Sequence, residues 1–135
     1  MRYEPHHDEY AAVPKMSADE LLEYFLYRIF ETDEVWCLKD GTQLMTHEVE
    51  GYQTLPVWAY QRYAEDSLIG DGQHFKAVAD SVEFFAYQTL NKLARQEFMI
   101  QIMPHQSSLG CLMSPQRLFG ILENMMEARD NMVGD

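Results

Sequence analysis

The sequence predicts an α+β fold, a single-domain sandwich in which helices pack on a mostly antiparallel sheet. Apolar residues recur with the helical period in four segments and with the strand period in two separate clusters. The predicted order is helix, three strands, helix, a further short strand, helix, two strands and helix. A chain of 135 residues suits one such domain. We assign it to residues 16–130, with flexible tails at residues 1–15 and 131–135.

A capping box marks the start of the first helix. In Ser17-Ala-Asp-Glu20, each of the two outer side chains can accept a hydrogen bond from the other residue's backbone N–H. The helix is expected to end between Glu31 and Asp33. Its buried stripe is predicted to comprise Leu22, Phe25, Leu26, Ile29 and Phe30.

A hairpin follows the first helix. Strand-like segments 35–39 and 42–46 flank Asp40-Gly41, a dipeptide typical of a two-residue type I′ turn. A second turn is predicted between Glu48 and Gly51. The first turn would place Cys37 opposite Leu44 and Trp36 opposite Met45.

The third strand leads into a short helix. Pro56 lacks an N–H group, so its strand should lie at a sheet edge or pair only at its ends. The helix is expected to bury Tyr60, Tyr63, Ala64 and Leu68 and to stop at Gly70-Asp-Gly72.

The second half of the chain carries two further helix starts. Asp80, followed by Glu83, predicts the N-cap of a helix after a short strand at 74–78. Strands at 98–103 and 109–113 precede Ser114-Pro115, an N-cap with proline at the first helical position. The two predicted stripes are Val82, Phe85, Ala86, Thr89, Leu90, Leu93 and Ala94, and Leu118, Ile121, Leu122, Met125 and Met126.

The charge balance excludes several classes of partner. Ten Lys and Arg against 22 Asp and Glu give a net charge of −12. Such a surface repels nucleic acid and anionic lipid, so neither is an expected partner. Cys37 and Cys111 lie in apolar runs and are interpreted as free core thiols in a reducing cytoplasm. The N-terminal residues lack the apolar run of a signal peptide, which also favours a cytoplasmic protein.

No pattern in the sequence predicts catalysis, a metal site or a cofactor. Ser107 and Ser108 lie near His105, but the segment is typical of a hairpin loop, and no nucleophile motif is present. His47-Glu48 begins like a zinc-protease motif, yet Gly51 stands where the second histidine would be.

Four aromatic residues are candidates for a binding site. Trp36, Trp58, Tyr60 and Tyr63 occur at the ends of adjacent strands and at the start of the next helix, where they could line a groove. The alternative is that they pack in the core below the first helix.

Several segments in a fixed order resemble a known family. They are Glu34-Val-Trp36, Leu55-Pro-Val-Trp58 with Tyr63-Ala64, the helix entered through Asp80, and Met113-Ser-Pro115 with Leu118 and Met125. From about Ser17 to Arg129, the chain resembles the bacterial family called domain of unknown function 2750. It is more distantly similar to the SseB-like secretion-enhancer domains. The resemblance implies a bacterial cytoplasmic α+β domain and implies no activity, ligand or catalytic residues.

We therefore expect a non-catalytic module that binds another protein through an acidic, Tyr-rich face. Glu48 and Glu50 on the second turn would contribute its charge. The alternative is a small-molecule binder or small enzyme with a pocket near Trp58, Tyr63 and His74. A third possibility is a homodimer formed by pairing of exposed strand edges.

Overall fold

The computed structural model describes residues 3–68, 74–105 and 108–133. It confirms the α+β class. The strands of this part of the chain form two sheets. They are β1 (Val35–Asp40), β2 (Gln43–Leu44), β3 (His47–Val49), β4 (Tyr52–Val57), β5 (Lys76–Asp80), β6 (Met99–Ile102) and β7 (Cys111–Met113).

One sheet has the order β2-β1-β5 and the other the order β3-β4-β6-β7. Among the described strand pairs only β4–β6 is parallel, so the sheets are mostly antiparallel as predicted. An exchange of backbone hydrogen bonds between Trp36 and Trp58 joins the two sheets.

The helices pack around these sheets. A 3₁₀ turn, Val13–Lys15, follows the first helix, and a π-helical turn, Phe85–Thr89, joins the fourth to the fifth. The helices are α1 (His7–Ala12), α2 (Ala18–Thr32), α3 (Gln61–Asp66), α4 (Val82–Phe84), α5 (Leu90–Arg95) and α6 (Pro115–Val133).

Two of the three predicted helix caps are confirmed. The Ser17 hydroxyl accepts from the Glu20 N–H at 3.2 Å, and the Glu20 carboxylate accepts from the Ser17 N–H at 2.9 Å. The Ser114 hydroxyl accepts from the Arg117 N–H at 3.1 Å. The predicted cap at Asp80 is wrong, because Asp80 is the last residue of β5 and Ser81 caps α4 instead.

The first hairpin differs from its predicted register by two residues. Asp40 extends β1 and pairs with Gln43, so the loop is Gly41-Thr42 rather than Asp40-Gly41. Gly41 has a φ of 64°, whereas the φ of Thr42 is not positive. This combination suits a type II′ turn. A shift of two residues keeps each side chain on its predicted face of the sheet.

The type I′ turn occurs in the second hairpin. Val49 pairs with Tyr52 across Glu50-Gly51, whose φ values are 52° and 86°. This turn lies within the predicted range from Glu48 to Gly51.

Pro56 lies in a central strand, so the prediction of an edge strand is wrong. The expectation of pairing only at the strand ends holds for one side of β4. The Val57 carbonyl accepts a hydrogen bond from the Met103 N–H. The backbone polar groups of Val57 and of every second residue before it in β4 therefore point toward β6. Pro56 therefore faces the other side, where Thr54 pairs with His47 and Trp58 pairs with Trp36. The missing N–H falls in the gap between those two pairings.

The core lies between the sheets and the helices. In α2 the buried apolar side chains are Leu21, Phe25 and Ile29, so the inner face begins one residue before the predicted Leu22. Cys37 and Cys111 are both buried and free, as predicted.

The terminal segments contain more helix than the sequence predicts. Residues 7–15, interpreted as part of a flexible tail, form α1 and the 3₁₀ turn, and Val13 is buried. A six-residue helix is too short to show a helical period, so no apolar pattern predicts it. Helix α6 runs to Val133, into the segment predicted as a tail. The predicted stop at Gly70-Asp-Gly72 lies outside the described residues.

No helix in the described part of the chain is both long enough and apolar enough to cross a bilayer.

Candidate functional site: an aromatic groove

A groove of about 710 Å³ crosses one face of the four-stranded sheet. We call it the aromatic groove. The end of α1 and the following turn form one wall, strand β3 forms another, and α3 and the loop before β7 close the ends. Its described lining is Tyr10, Val13, Pro14, His47, Glu48, Val49, Trp58, Tyr63, Asp66, Ser67, Gln101, Met103, Pro104, His105, Ser108 and Leu109.

The floor of the groove is held by buried hydrogen bonds. Trp58 is 1% exposed, and its indole N–H donates to the Pro104 carbonyl at 2.9 Å. Gln101 is also buried, and its side-chain oxygen accepts from the Thr54 hydroxyl at 3.3 Å. These bonds connect β4 to β6 and to the loop after it. The floor is therefore preformed.

Stacked tyrosines form the wall nearest the N-terminus. The Tyr10 ring stacks on Tyr63 with centroids 5.6 Å apart and an interplanar angle of 13°. The Tyr63 and Tyr24 hydroxyls lie 3.0 Å apart, and Tyr24 donates to Glu9 at 2.9 Å. Helix α1 is thereby attached to α2 and α3.

Charged groups reinforce the attachment of α1. The Glu9 carboxylate binds the Arg28 guanidinium at 2.6 Å, and both side chains are less than a quarter exposed, at 17% and 23%. The Arg62 guanidinium lies 3.9 Å from the Tyr10 ring centroid, and the Tyr10 hydroxyl donates to Asp66. A partly buried ion pair and a cation–π contact of this kind hold the wall in one position.

The tyrosine hydroxyls at this wall are neutral at physiological pH. Burial, the largest cause, raises the pKa of Tyr63 to about 12. Burial and the hydrogen bond with Tyr63 raise the pKa of Tyr24 as well. Both groups act as hydrogen-bonding partners that position the wall, and neither is poised as a base.

The groove combines a mostly apolar floor, with Gln101 as its polar side chain, and an acidic rim. Glu48 on β3 and Asp66 on α3 are its carboxylates, and its described lining contains no Lys or Arg. Leu109 is 49% exposed at one end. A ligand that buries an apolar group and carries positive charge would match this lining.

Among the groups considered for chemistry, the described part of the chain shows a structural role for Ser108. The Ser108 hydroxyl accepts from the Gly110 N–H at 3.0 Å and so shapes the loop, while Ser107 lies outside the described residues. Within residues 3–68, 74–105 and 108–133, no three His, Cys, Asp or Glu side chains are grouped to hold a metal ion.

Residues 22–121 match the model of a protein family described as "Protein of unknown function (DUF2750)". The chain belongs to this family. The matched residues include both sheets and α3 but not α1, so Tyr10, Val13 and Pro14 of the groove wall lie outside the DUF2750 match. No curated protein matches this chain.

In this DUF2750 protein the two tryptophans are core residues. Trp36 is 3% exposed, and its indole N–H donates to Glu34 at 3.3 Å, away from the groove. Trp58 is equally buried but contributes to the groove floor. Tyr60 is buried beside Tyr63, with ring centroids 6.0 Å apart, and does not line the groove. All four aromatic candidates, Tyr63 included, are thus buried in the core, and Trp58 and Tyr63 also line the groove.

The remaining candidates are divided between the groove and other places. Tyr63 and Glu48 both line the groove, whereas Glu50 lies in the adjacent turn outside the lining. His74 is also outside it: its imidazole lies 3.7 Å from Asp40 and packs on Phe75. The expected pocket near Trp58 and Tyr63 is present, but His74 does not belong to it.

The N-terminal wall of the groove is not predicted by the sequence. Tyr10 is the one residue there that carried a signal, since an aromatic ring in a polar segment can dock on a protein surface. Val13 and Pro14 gave none, because their burial depends on a helix too short to detect.

Proposed function

We propose that this protein is a non-catalytic, cytoplasmic bacterial module that binds another protein through the aromatic groove. The segment bound would place an apolar side chain on the floor and a neighbouring Lys or Arg at the rim. The observation that supports this most strongly is the combination of a mostly apolar floor with Glu48 and Asp66 at the rim and no Lys or Arg in the described lining.

The position of β3 favours an extended partner. This strand is at one edge of its sheet, and all three of its residues, His47, Glu48 and Val49, border the groove. A bound segment could therefore add main-chain hydrogen bonds at the edge while its alternate side chains enter the groove.

A library of random displayed peptides, selected on the purified full chain, tests the proposal. We expect enrichment of sequences with an aromatic or aliphatic anchor next to Lys or Arg. Enrichment should disappear on Glu48→Lys, since the reversed charge would repel the basic residue. Glu50→Lys is the matched control, because it makes the same charge change outside the lining. Selection of acidic peptides, or equal enrichment on Glu48→Lys, would contradict the proposal.

The alternative is a small-molecule binder or small enzyme that uses the same groove. Its volume of about 710 Å³ falls within the range of small-ligand pockets, roughly 300–1,000 Å³. We favour the protein partner because β3, an edge strand, borders the groove with all three of its residues and so offers main-chain groups to an extended segment. A metabolite that stabilises the wild type but not Tyr63→Ala, with no peptide enriched, would favour the alternative.

Homodimerisation by edge pairing is a third possibility, and β3 is the edge that the groove exposes. A molar mass that remains monomeric over a wide concentration range would exclude it. A dimer that dissociates on Glu48→Lys would identify a second copy as the occupant.

A further inference from the structure

A second pocket, of about 350 Å³, lies between the three-stranded sheet and the helix formed by α4, the π-helical turn and α5. We call it the basic pocket, after the Lys39, Lys92 and Arg95 side chains that line it. It shares no lining residue with the aromatic groove. Its volume is at the lower end of the range for ligand pockets, roughly 300–1,000 Å³.

The floor of the basic pocket is apolar. Val35 and Cys37 lie on the same face of β1 as Lys39, and Leu55, Phe85 and Leu93 complete the floor. Burial raises the pKa of the Cys37 thiol to about 11, so the thiol is neutral. Cys37 is therefore a packing surface here and not a nucleophile.

The cations at this pocket differ from the partnered cation beside the groove. Arg28 has two carboxylate partners, Glu9 and Glu31. For Lys39, Lys92 and Arg95, by contrast, the described residues supply no carboxylate within ion-pair distance. In a chain with 22 acidic side chains and only ten basic ones, the gathering of three cations around one pocket favours an external anion.

Strand pairing brings a fourth cation to the same face. Lys39 is directly opposite Lys76 in the antiparallel β1–β5 pair. Like charges in this position destabilise a sheet, and a bound anion would relieve the repulsion.

The π-helical turn supports the same interpretation. Adjacent pairs from three successive turns line the pocket, namely Phe84–Phe85, Gln88–Thr89 and Lys92–Leu93. This four-residue spacing exceeds the 3.6 residues per turn of an α-helix, and the wider π turn at residues 85–89 helps to keep the pairs on one side. Such turns are rare and occur frequently at functional sites.

The two ends of the pocket differ in charge, because the Asp80 carboxylate lies at the end away from Lys39. Asp80 lines the pocket and pairs with Val35, four residues from Lys39 along β1. Four strand residues span about 13 Å. An anionic group would therefore bind at the end marked by Lys39, away from Asp80.

We propose that the basic pocket binds a small organic anion, a carboxylate or a phosphate monoester that carries an apolar body. The anionic group lies among Lys39, Lys92 and Arg95, and the apolar body covers the floor formed by Val35, Cys37 and Leu55. This site is separate from the groove and does not depend on the proposed protein partner.

Phenyl phosphate is the probe, titrated into the full chain and followed by backbone amide chemical shifts at neutral pH. Hexanoate tests whether a carboxylate can replace the phosphate. Inorganic phosphate carries the anionic group without an apolar body, and phenol carries the apolar body without the anionic group. We expect saturable shifts with phenyl phosphate or hexanoate, centred on residues 37–42 and 85–95. The Kd of phenyl phosphate should be lower than the Kd of phenol and lower than that of inorganic phosphate.

Lys92→Gln should weaken binding by about tenfold or more, since a hydrogen bond to a charged group is lost. Arg95→Gln should act in the same direction and provides a second variant if the first fails to fold. Lys15→Gln makes the same charge change at an exposed residue outside the pocket and should leave the Kd within about twofold.

Three results would overturn the proposal. The first is the absence of saturable shifts with both organic anions. The second is binding of phenol or inorganic phosphate as tight as that of phenyl phosphate. The third is an equal loss in Lys15→Gln and Lys92→Gln, which would show a general effect of net charge.

Discussion

Trp36 and Trp58 exchange backbone hydrogen bonds, with N···O distances of 2.9 Å and 2.8 Å, and this exchange joins the three-stranded sheet to the four-stranded sheet. Trp58 also fixes the loop after β6, through the bond from its indole N–H to Pro104. One residue thus connects the two sheets and the floor of the aromatic groove.

Replacing Trp58 with Phe should lower the free energy of unfolding by about 2–3 kcal/mol, because the smaller ring leaves a void and the Pro104 carbonyl loses its donor. Denaturant unfolding followed by far-ultraviolet circular dichroism measures the change. Tyr27→Phe is the control, since its ring is 66% exposed. A loss no larger in Trp58→Phe than in Tyr27→Phe would contradict the role assigned to Trp58.

The attachment of α1 should contribute measurable stability. Glu9→Gln removes the charge that binds Arg28 and should cost about 1–3 kcal/mol, because the pair is partly shielded from water. Glu23→Gln, on the exposed face of α2, makes the same change where the carboxylate forms no ion pair with a described residue, and it should cost less than about 0.5 kcal/mol. Equal unfolding midpoints for the two variants would show that α1 is not held in this way.

Gly110 should be far less tolerant of alanine than Gly120. A Cβ at Gly110 would lie 2.1 Å from the Ile102 carbonyl oxygen, at a φ of 73°. Gly110→Ala should therefore cost at least about 2 kcal/mol. Gly120 lies within α6 with open space at its Cβ position, so Gly120→Ala should stabilise the protein by about 0.5–1 kcal/mol. Thermal unfolding of the two variants gives the comparison, and similar shifts of Tm would refute it.

Stability should decline at alkaline pH, in part through Tyr63. Its pKa is raised to about 12 in the folded protein, against about 10 for an unperturbed tyrosine. The folded state therefore favours the protonated hydroxyl. Its contribution is complete below pH 10 and is lost as the pH rises to about 12. Tyr63→Phe should reduce the slope of unfolding free energy against pH in this window, and an unchanged slope would contradict the role assigned to Tyr63.

Local features of the fold could be predicted from the sequence, while long-range pairings could not. The caps at Ser17 and Ser114 involve residues three positions apart, so the sequence alone identified them. The pairing of β1 with β5 brings together residues about forty positions apart, and no local pattern encodes it. The predicted register of the first hairpin was wrong because Asp40 continues strand β1. The turn therefore begins at Gly41 and not at Asp40.

The candidate site was only partly predictable. Tyr63 and Glu48 were identified from their place beside the third strand, and both border the groove. The N-terminal wall was missed because Val13 and Pro14 acquire their positions only through the contacts of Tyr10 and Glu9 with distant helices. The predicted place of His74 in the pocket was wrong, because the apolar pattern does not predict the position of a residue between α3 and β5.

The most direct test of the central claim is calorimetric titration of a peptide enriched on the wild type into three proteins: wild type, Glu48→Lys and Glu50→Lys. Binding through the aromatic groove predicts a loss of affinity of about tenfold or more for Glu48→Lys and a much smaller change for Glu50→Lys. Equal affinity for wild type and Glu48→Lys would place the peptide elsewhere and contradict the claim.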